Sequence, residues 1–223
     1  MKTYKYLGFI TLLYVTFQLI SDVTAGKIVQ LGIFTVSATA LYFPITYIFS
    51  DILTEVYGYA VARKTLWKVL LCSLIGIIIY QIVVWLPPAA GFNANDAYAR
   101  VLGNVPRIVI AGFLAVWAGS ILNDYVLAKM KVWTKGKYLW TRTIGSTIVG
   151  EGANTLIFYV IGLYGIIPNN LLLTSVLSGW FLKVVVETVF TPVTYYVVAK
   201  LKKAENEDYY DTKTNFNPFI IKS

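Results

Sequence analysis

Histidine is absent from this chain of 223 residues, and cysteine occurs once, as Cys72 within an apolar run. Without histidine the chain lacks the commonest metal ligand and the side chain that most often acts as an enzymatic acid or base. A single cysteine allows no intramolecular disulfide. The sequence also contains no glycine-rich phosphate loop and no metal-type cysteine spacing. We therefore expect no cofactor, no metal and no ATPase activity in this chain, and we do not expect an enzyme.

Charge is also scarce, since charged residues make up 13% of the chain and hydrophobic residues 57%. Soluble domains are typically about 45–50% apolar. Mean hydropathy is +0.66, and the apolar residues form runs rather than stripes. The net charge of +8 would suit nucleic acid, but the charges lie in short segments between the apolar runs. This pattern is typical of a multi-pass protein in a lipid bilayer and argues against a nucleic-acid partner.

Six runs are long enough to predict membrane spans, which need about 20 mostly apolar residues. They are Tyr6–Ser21, Ala38–Tyr57, Val69–Leu86, Pro106–Ala128, Thr143–Tyr164 and Leu171–Ala199. The first run resembles a signal peptide in charge and apolarity. It lacks a small-residue cleavage site before Lys27, so we predict a retained helix. The predicted fold class is all-α: a polytopic six-transmembrane-helix bundle over residues 1–203. A polar, poorly ordered tail is expected over residues 204–223.

The distribution of positive charge predicts the orientation. With the N-terminus inside, 15 of the 19 lysine and arginine residues fall in cytoplasmic segments, and only Lys27, Arg100 and Arg107 fall in outer loops. Such an asymmetry predicts both termini in the cytoplasm. The outer loop over residues 87–106 is interpreted as a solvated connection, a short interfacial helix or a lid.

Three ionisable residues, Glu151, Lys183 and Glu187, lie inside the predicted spans. A bilayer tolerates such groups where they face a protein interior or a water-filled path, so they indicate a functional site. Asn154 lies three residues after Glu151 and shares its helix face. A buried ammonium needs a carboxylate partner, so one is expected for Lys183, which lies at a depth that Glu151 could share. The alternative is that Glu151, Lys183 and Glu187 are purely structural.

Two further pairs of polar residues lie in predicted spans. Asp51 and Glu55 are four residues apart and share a helix face; the alternative is that both are interfacial and pair with nearby basic residues. Asn123 and Asp124 lie near the cytoplasmic end of the fourth span, where Asp124 is in reach of basic residues. Four aromatic side chains near these polar positions are interpreted as a stacking surface for a flat ligand or as lipid-facing packing: Phe43, Tyr159, Trp180 and Phe181.

Three motifs carry a family resemblance: FPITYIFSDILTEVYGYAVARK (Phe43–Lys64), RTIGSTIVGEGANTLIFY (Arg142–Tyr159) and FLKVVVETVFTPVTYYVV (Phe181–Val198). Together, and in this order, they resemble the queuosine precursor transporters, also called the vitamin uptake transporter family. The resemblance extends from about Ser21 to Lys203. It implies inner-membrane import of 7-deazaguanine bases, precursors of the tRNA nucleoside queuosine. The substrate-binding residues that it implies are Asp51, Glu55, Glu151, Asn154, Lys183 and Glu187.

These residue types suit such a substrate. A carboxylate can accept the ring N–H and the exocyclic amine of a deazaguanine together. We hypothesise that Glu151 or Glu187 accepts this edge, that Asn154 reads the carbonyl side, and that Lys183 fixes the carboxylates. The candidate substrates are 7-cyano-7-deazaguanine, 7-aminomethyl-7-deazaguanine and queuine.

Three classes of function remain open. The first is a self-sufficient secondary transporter. The second is a substrate-binding subunit of an ATP-driven importer, which would dock its partner through small residues such as Ala111, Ala115, Ala118 and Gly119. A membrane enzyme that uses the carboxylates as acid and base is the third, and the missing histidine argues against it. A homodimer would fit so small a transporter, although no motif indicates one.

Overall fold

A computed structural model describes residues 3–32, 34–103, 106–164 and 169–220. Over these ranges the chain forms α1 (Leu7–Thr24), β1 (Ile28–Leu31), β2 (Phe34–Ser37), α2 (Pro44–Tyr57), α3 (Tyr59–Trp85), α4 (Asn95–Leu102), α5 (Pro106–Trp133), α6 (Leu139–Ile157) and α7 (Asn169–Glu205). A 3-10 helix at Ala38–Leu41 precedes α2, and a π-helix at Phe158–Leu163 continues α6. Lys2, Lys222 and the side chain of Arg107 lie outside the described residues.

Five helices in the described ranges are long and apolar enough to cross a membrane. They lie at Leu7–Thr24, Tyr59–Trp85, Ile110–Trp133, Leu139–Gly162 and Leu172–Glu205. The prediction of an all-α, multi-pass bundle is confirmed, with one small addition. Strands β1 and β2 pair antiparallel, with Ile28 facing Ser37 and Leu31 facing Phe34.

The second predicted span differs from the other five. It corresponds to α2, which has 14 residues and is shorter than the roughly 20 that a span needs. Pro44 occupies the first turn, where its missing N–H costs nothing. Gly58, with φ of 86°, ends the helix in a conformation that favours glycine. The count of six spans therefore stays a prediction.

Helix α2 is the central element of the fold. It packs against α1, α3, α5 and α7, and all but two of its residues are buried. The bundle thus wraps its helices around a core that holds Asp51, Glu55 and several hydroxyl groups. Because α2 is enclosed on all sides, its polar residues must find partners within the protein.

The outside of the bundle is apolar. Helix α3 exposes a row of aliphatic side chains, which includes Leu71, Ile75, Ile78 and Ile82, each about half exposed. A soluble protein would bury such a row, whereas hydrocarbon surrounds it without cost. Buried polar groups combined with exposed aliphatic groups are the arrangement expected in a bilayer.

Helices α5 and α6 form the most closely packed helix pair. A Cβ atom on Gly150 would lie 2.8 Å from the carbonyl oxygen of Gly119, and the reverse distance is also 2.8 Å. Only glycine allows two helix backbones to approach so closely. This contact brings Asn123 on α5 beside the segment of α6 that carries Glu151.

Both ends of the described chain lie at one end of the bundle. The backbone N–H groups of Lys5 and Tyr6 donate to the Glu205 carboxylate at 2.9 and 2.6 Å. We call this the tail end. The outer loop contains the short helix α4, in line with one of its three interpretations, and Gln81 on α3 donates to the Leu102 carbonyl.

The polar tail differs from its prediction. Over residues 206–220 it is not poorly ordered but lies across the tail end of the bundle. Arg63 donates to the carbonyl oxygens of Asn215 and Asn217 at 2.9 and 2.6 Å. Trp67 donates to the carbonyl of Pro218 at 3.0 Å. The tail binds the bundle through its own backbone carbonyls as well as through its side chains. Composition does not reveal backbone contacts, so it indicated disorder.

Candidate functional site

A pocket opens in the half of the bundle away from the tail end. It encloses about 450 Å³ of empty space, part of which is open to the surroundings. Its polar lining comes from three helices and the 3-10 segment: Gln18, Ser21, Asp22, Thr39, Asn154 and Lys183. Phe43, Val116 and Phe158 are among its apolar walls. Ligand pockets typically combine apolar walls with a few convergent polar groups in this way.

Lys183 and Asn154 form one polar wall of the pocket, and Lys183 makes several contacts there. Its ammonium donates to Glu151 Oε2 at 2.9 Å, to Asn154 Oδ1 at 3.0 Å and to Thr155 Oγ1 at 3.2 Å. The ammonium also lies 4.8 Å from the centre of the Phe43 ring. A buried ammonium needs such a complete set of partners. The carboxylate partner expected for Lys183 is therefore Glu151 in this structure.

Glu151 and Glu187 lie behind this wall rather than on the pocket surface. Both side chains are fully buried. The free oxygen of Glu151, Oε1, and both oxygens of Glu187 have no hydrogen-bonding partner among the described residues. The hypothesis that one of them accepts the substrate edge directly therefore requires Lys183 to move aside.

Asp51 and Asp124 extend the acidic cluster into the bundle. Asn123 donates to Asp51 Oδ1 at 2.5 Å. Asp124 accepts from Ser50 at 2.6 Å and from Thr54 at 3.0 Å, so it does not pair with the nearby basic residues. Asp51 lies within electrostatic range of Glu187. We call Asp51, Asp124, Glu151 and Glu187 the buried carboxylates.

Glu55 lies apart from the pocket, at the tail end. Arg142 binds it with two parallel hydrogen bonds of 2.8 Å, and Lys202 approaches it to 2.5 Å. Lys131 lies 3.5 Å from the same carboxylate and 2.6 Å from Asp208 in the tail. Along α6, nine residues and about 14 Å of helix rise separate Arg142 from Glu151. Glu55 therefore joins four segments of the tail end, and the structure does not bring it to the pocket.

The contacts of Asp208 with Lys131 and Lys202 are ion pairs. Partial burial alone would raise the pKa of this carboxyl group, but hydrogen bonds from Lys131 and Lys202 hold it below its ordinary value. Asp208 is consequently ionised at neutral pH, and it links the tail to the cations that surround Glu55.

Sequence reasoning missed the second polar wall of the pocket, on α1. Gln18 donates to Asp22 Oδ1 at 2.8 Å, and both side chains line the pocket. The Asp22 carboxyl group also lies near the Ser73 hydroxyl. The signal in the sequence is their spacing of four residues within an otherwise apolar helix, which places both on one face.

Of the four aromatic candidates, Phe43 alone is among the residues described as lining the pocket. Trp180 donates to the Ile148 carbonyl at 3.0 Å, and Phe181 is 57% exposed on the outside of α7. Tyr159 is buried beside Phe158. Lipid-facing packing thus describes Phe181, whereas Phe43 fits the stacking interpretation.

The small residues proposed for docking an ATP-driven partner are mostly internal. Ala111, Ala115 and Gly119 are buried within the chain, and Gly119 packs against α6 and Tyr47. A partner helix cannot reach a face that is already filled. Their burial therefore does not favour docking through those three residues.

The fold and the pocket define a helical, multi-pass membrane protein with a buried polar site, which is the architecture of a membrane transporter. The profile of the family described as "Putative vitamin uptake transporter" matches residues 37–197. This chain belongs to that family, and the resemblance read from its three motifs is confirmed. The matched region includes all six predicted site residues.

Two curated relatives have more specific names. The "Probable queuosine precursor transporter" of Bacillus subtilis (strain 168) is 29% identical over 147 residues, which cover 66% of this chain and 64% of that protein. The "Queuosine precursor transporter" of Escherichia coli (strain K12) is 24% identical over 167 residues, 73% of this chain and 71% of that protein. The match thus spans slightly less than two thirds of the Bacillus relative. No solved structure matches the chain.

Proposed function

We propose that this chain imports queuosine precursors, namely 7-deazaguanine bases, across the bacterial inner membrane as a secondary transporter. The names of the two relatives support this class of substrate. The observation that carries the proposal is the pocket itself, in which Lys183, Asn154 and Asp22 converge from three helices, with the Lys183 ammonium 4.8 Å from the centre of the Phe43 ring.

The pocket offers complementary groups to a deazaguanine. The ring carbonyl of the base accepts hydrogen bonds, and the Asn154 amide, whose oxygen accepts from Lys183, can donate one from its nitrogen. The ring N–H and exocyclic amine of the base need an acceptor, which Asp22 supplies from α1. Phe43 provides the face on which a flat base stacks. Glu151 holds the Lys183 ammonium in position, and the ammonium in turn fixes the Asn154 side chain.

The two ends of the bundle suit alternating access. The pocket lies in the half away from the tail end, while the contacts of Glu55 and the docked tail close the other half. With the tail end in the cytoplasm, as the positive charges predict, the pocket faces the outside and loads substrate there. Release then requires the tail end to open.

A substrate-binding subunit that depends on an ATP-driven partner is not favoured, because three of its four proposed docking residues are buried. The test is restoration of queuosine in tRNA. A bacterial strain that can neither make nor import the precursors would express this chain alone and receive each base at low concentration. Restoration supports import without a dedicated partner and ranks the substrates. Failure of correctly inserted protein with all three bases contradicts the proposal.

Orientation has its own test. A fluorescent protein fused after the last residue should fold and fluoresce, whereas a periplasmic phosphatase fused there should stay inactive. The same fusions placed at Asn93, in the outer loop, should give the opposite result. Phosphatase activity at the C-terminus would contradict the predicted cytoplasmic tail.

A further inference from the structure

Glu187 has the least satisfied side chain in the described core. It is 0% exposed, and neither carboxylate oxygen has a hydrogen-bonding partner among the described residues. Its neighbour one turn earlier on α7, Lys183, is the natural counter-ion, but that ammonium is bound to Glu151 instead. No ion pair of Glu187 occurs in the described part of the chain.

The surroundings of Glu187 add negative charge rather than positive charge. Glu151 on α6 and Asp51 on α2 both lie within electrostatic range of it. The ionisable groups near Glu187 or near its acidic neighbours are Tyr14 on α1, Tyr47, Asp51 and Glu55 on α2, Asp124 on α5, Glu151 on α6 and Lys183 on α7. Glu55 has its own cations at the tail end, so among the described residues the four buried carboxylates have one ammonium nearby, that of Lys183.

An ionised carboxylate without a partner is very costly in a low-dielectric interior. A bound cation or a bound proton removes this cost. A metal ion needs several converging oxygens, and no group of three acidic side chains among the described residues is arranged to hold one. A proton needs a single oxygen, which Glu187 supplies. The geometry therefore favours a proton.

We propose that Glu187, with Asp51 beside it, binds the proton that drives uptake. This inference rests on the proposed transport function and names its energy source. Glu187 lies four residues, and about 6 Å of helix rise, from Lys183, which lines the pocket. The proton site and the substrate pocket are therefore adjacent but separate.

The proton balance is simple. The Glu187 carboxylate takes up one proton from the outside while the pocket faces outward, and it releases one proton to the inside after the bundle reorients. No covalent bond of the substrate changes. Once deprotonated, Glu187 can attract the Lys183 ammonium away from Glu151, since the two residues share a helix face. Proton release thereby disturbs the wall of the pocket and couples to release of the substrate.

The experiment uses the purified full chain in liposomes with radiolabelled 7-cyano-7-deazaguanine. One assay measures uptake with and without an inside-alkaline pH gradient. A second assay measures exchange of labelled for unlabelled base without any gradient, which needs no net proton movement. A pH-sensitive dye inside the vesicles reports protons that enter when unlabelled base is added.

Wild-type uptake should rise with the gradient and lose this rise when a protonophore is added. Glu187→Gln, which mimics the protonated side chain, should keep exchange and lose the response to the gradient. Asp51→Asn should weaken the response. Asp96→Asn makes the same chemical change at an exposed site on α4 and should behave as the wild type.

Several results would overturn the inference. Wild-type uptake that ignores the pH gradient, or that follows a sodium gradient instead, removes proton coupling and leaves the proposed transport intact. A Glu187→Gln variant that responds like the wild type removes this residue as the carrier. If the variant fails to insert, the dye assay on the wild type decides, because base-driven proton entry is required. Absence of both uptake and exchange in the wild type contradicts the transport function itself.

Discussion

The Nζ atom of Lys183 on α7 lies 2.9 Å from Oε2 of Glu151 on α6, and the Glu151 side chain is fully buried. This ion pair joins the two helices at the depth of the pocket. The ammonium also contacts Asn154 and faces Phe43. One side chain thus serves both the stability of the helix pair and the polarity of the site.

Lys183→Met should abolish uptake and destabilise the protein, because it leaves Glu151 buried without a counter-ion. Breaking one partner of a buried pair typically costs about 3–5 kcal/mol. The double variant Lys183→Met, Glu151→Gln removes both charges, so it should regain thermal stability but not uptake. Thermal unfolding in detergent and uptake in liposomes separate the two effects. Uptake by the double variant at the wild-type rate would exclude the pair from the site.

Glu55→Ala should destabilise the protein more than any exposed acidic substitution, since Arg142, Lys202 and Lys131 all face that carboxylate. A loss of about 3–5 kcal/mol is expected for a broken buried pair, which corresponds to a melting point lower by roughly 10 °C. Asp96→Ala, on the exposed face of α4, is the matched control. Equal melting points for the two variants would show that the Glu55 cluster contributes little.

Asp211 fixes the tail by accepting from the backbone N–H of Tyr59 at 3.1 and 3.2 Å. This N–H lies in the first turn of α3, where donors lack helical partners. Asp211→Ala should cost about 1 kcal/mol, as for loss of a capping side chain, and should speed protease cleavage of the tail in detergent. Lys213→Ala, two residues on and exposed, should leave cleavage unchanged. Equal cleavage of both variants would mean that the cap does not hold the tail.

The contact of the tail through Asp208 should be insensitive to pH over the neutral range. The folded state lowers the pKa of this carboxyl group below its ordinary value of 3.8. Its stabilising contribution is therefore fully present above that ordinary value and is lost as the pH falls through the lower, folded-state pKa. Protease cleavage of the tail, measured with an acid-stable protease, should rise only at strongly acidic pH. Release of the tail between neutral and mildly acidic pH would point to another group.

Helix positions were predictable from the long apolar runs. A carboxylate partner for Lys183 was predictable because an ammonium inside an apolar helix is costly without one. Glu55 was grouped with Asp51 because four-residue spacing indicates a shared face, but spacing does not give depth along the bundle. The length of α2 was overestimated because the apolar residues before Pro44 form a separate 3-10 helix at Ala38–Leu41 instead of extending α2. Asp22 was missed because a single acidic residue near a helix end looks interfacial. The docking of the tail depends on backbone carbonyls, which composition does not reveal.

The close contact of α5 and α6 yields the most direct test of the packing. A Cβ on Gly150 would lie 2.7 Å from the Cβ of Asn123 and 2.8 Å from the Gly119 carbonyl oxygen. Neither atom can move without shifting a helix, so Gly150→Ala should destabilise by about 1–3 kcal/mol, as for an overpacked core. Gly8→Ala on α1 is the matched control, because nothing lies within 4 Å of its added Cβ. That control should be neutral or slightly stabilising, since alanine is the better helix former. Because Asn123 also binds Asp51, Gly150→Ala should reduce uptake together with the melting point, and a variant with normal stability would contradict this helix contact.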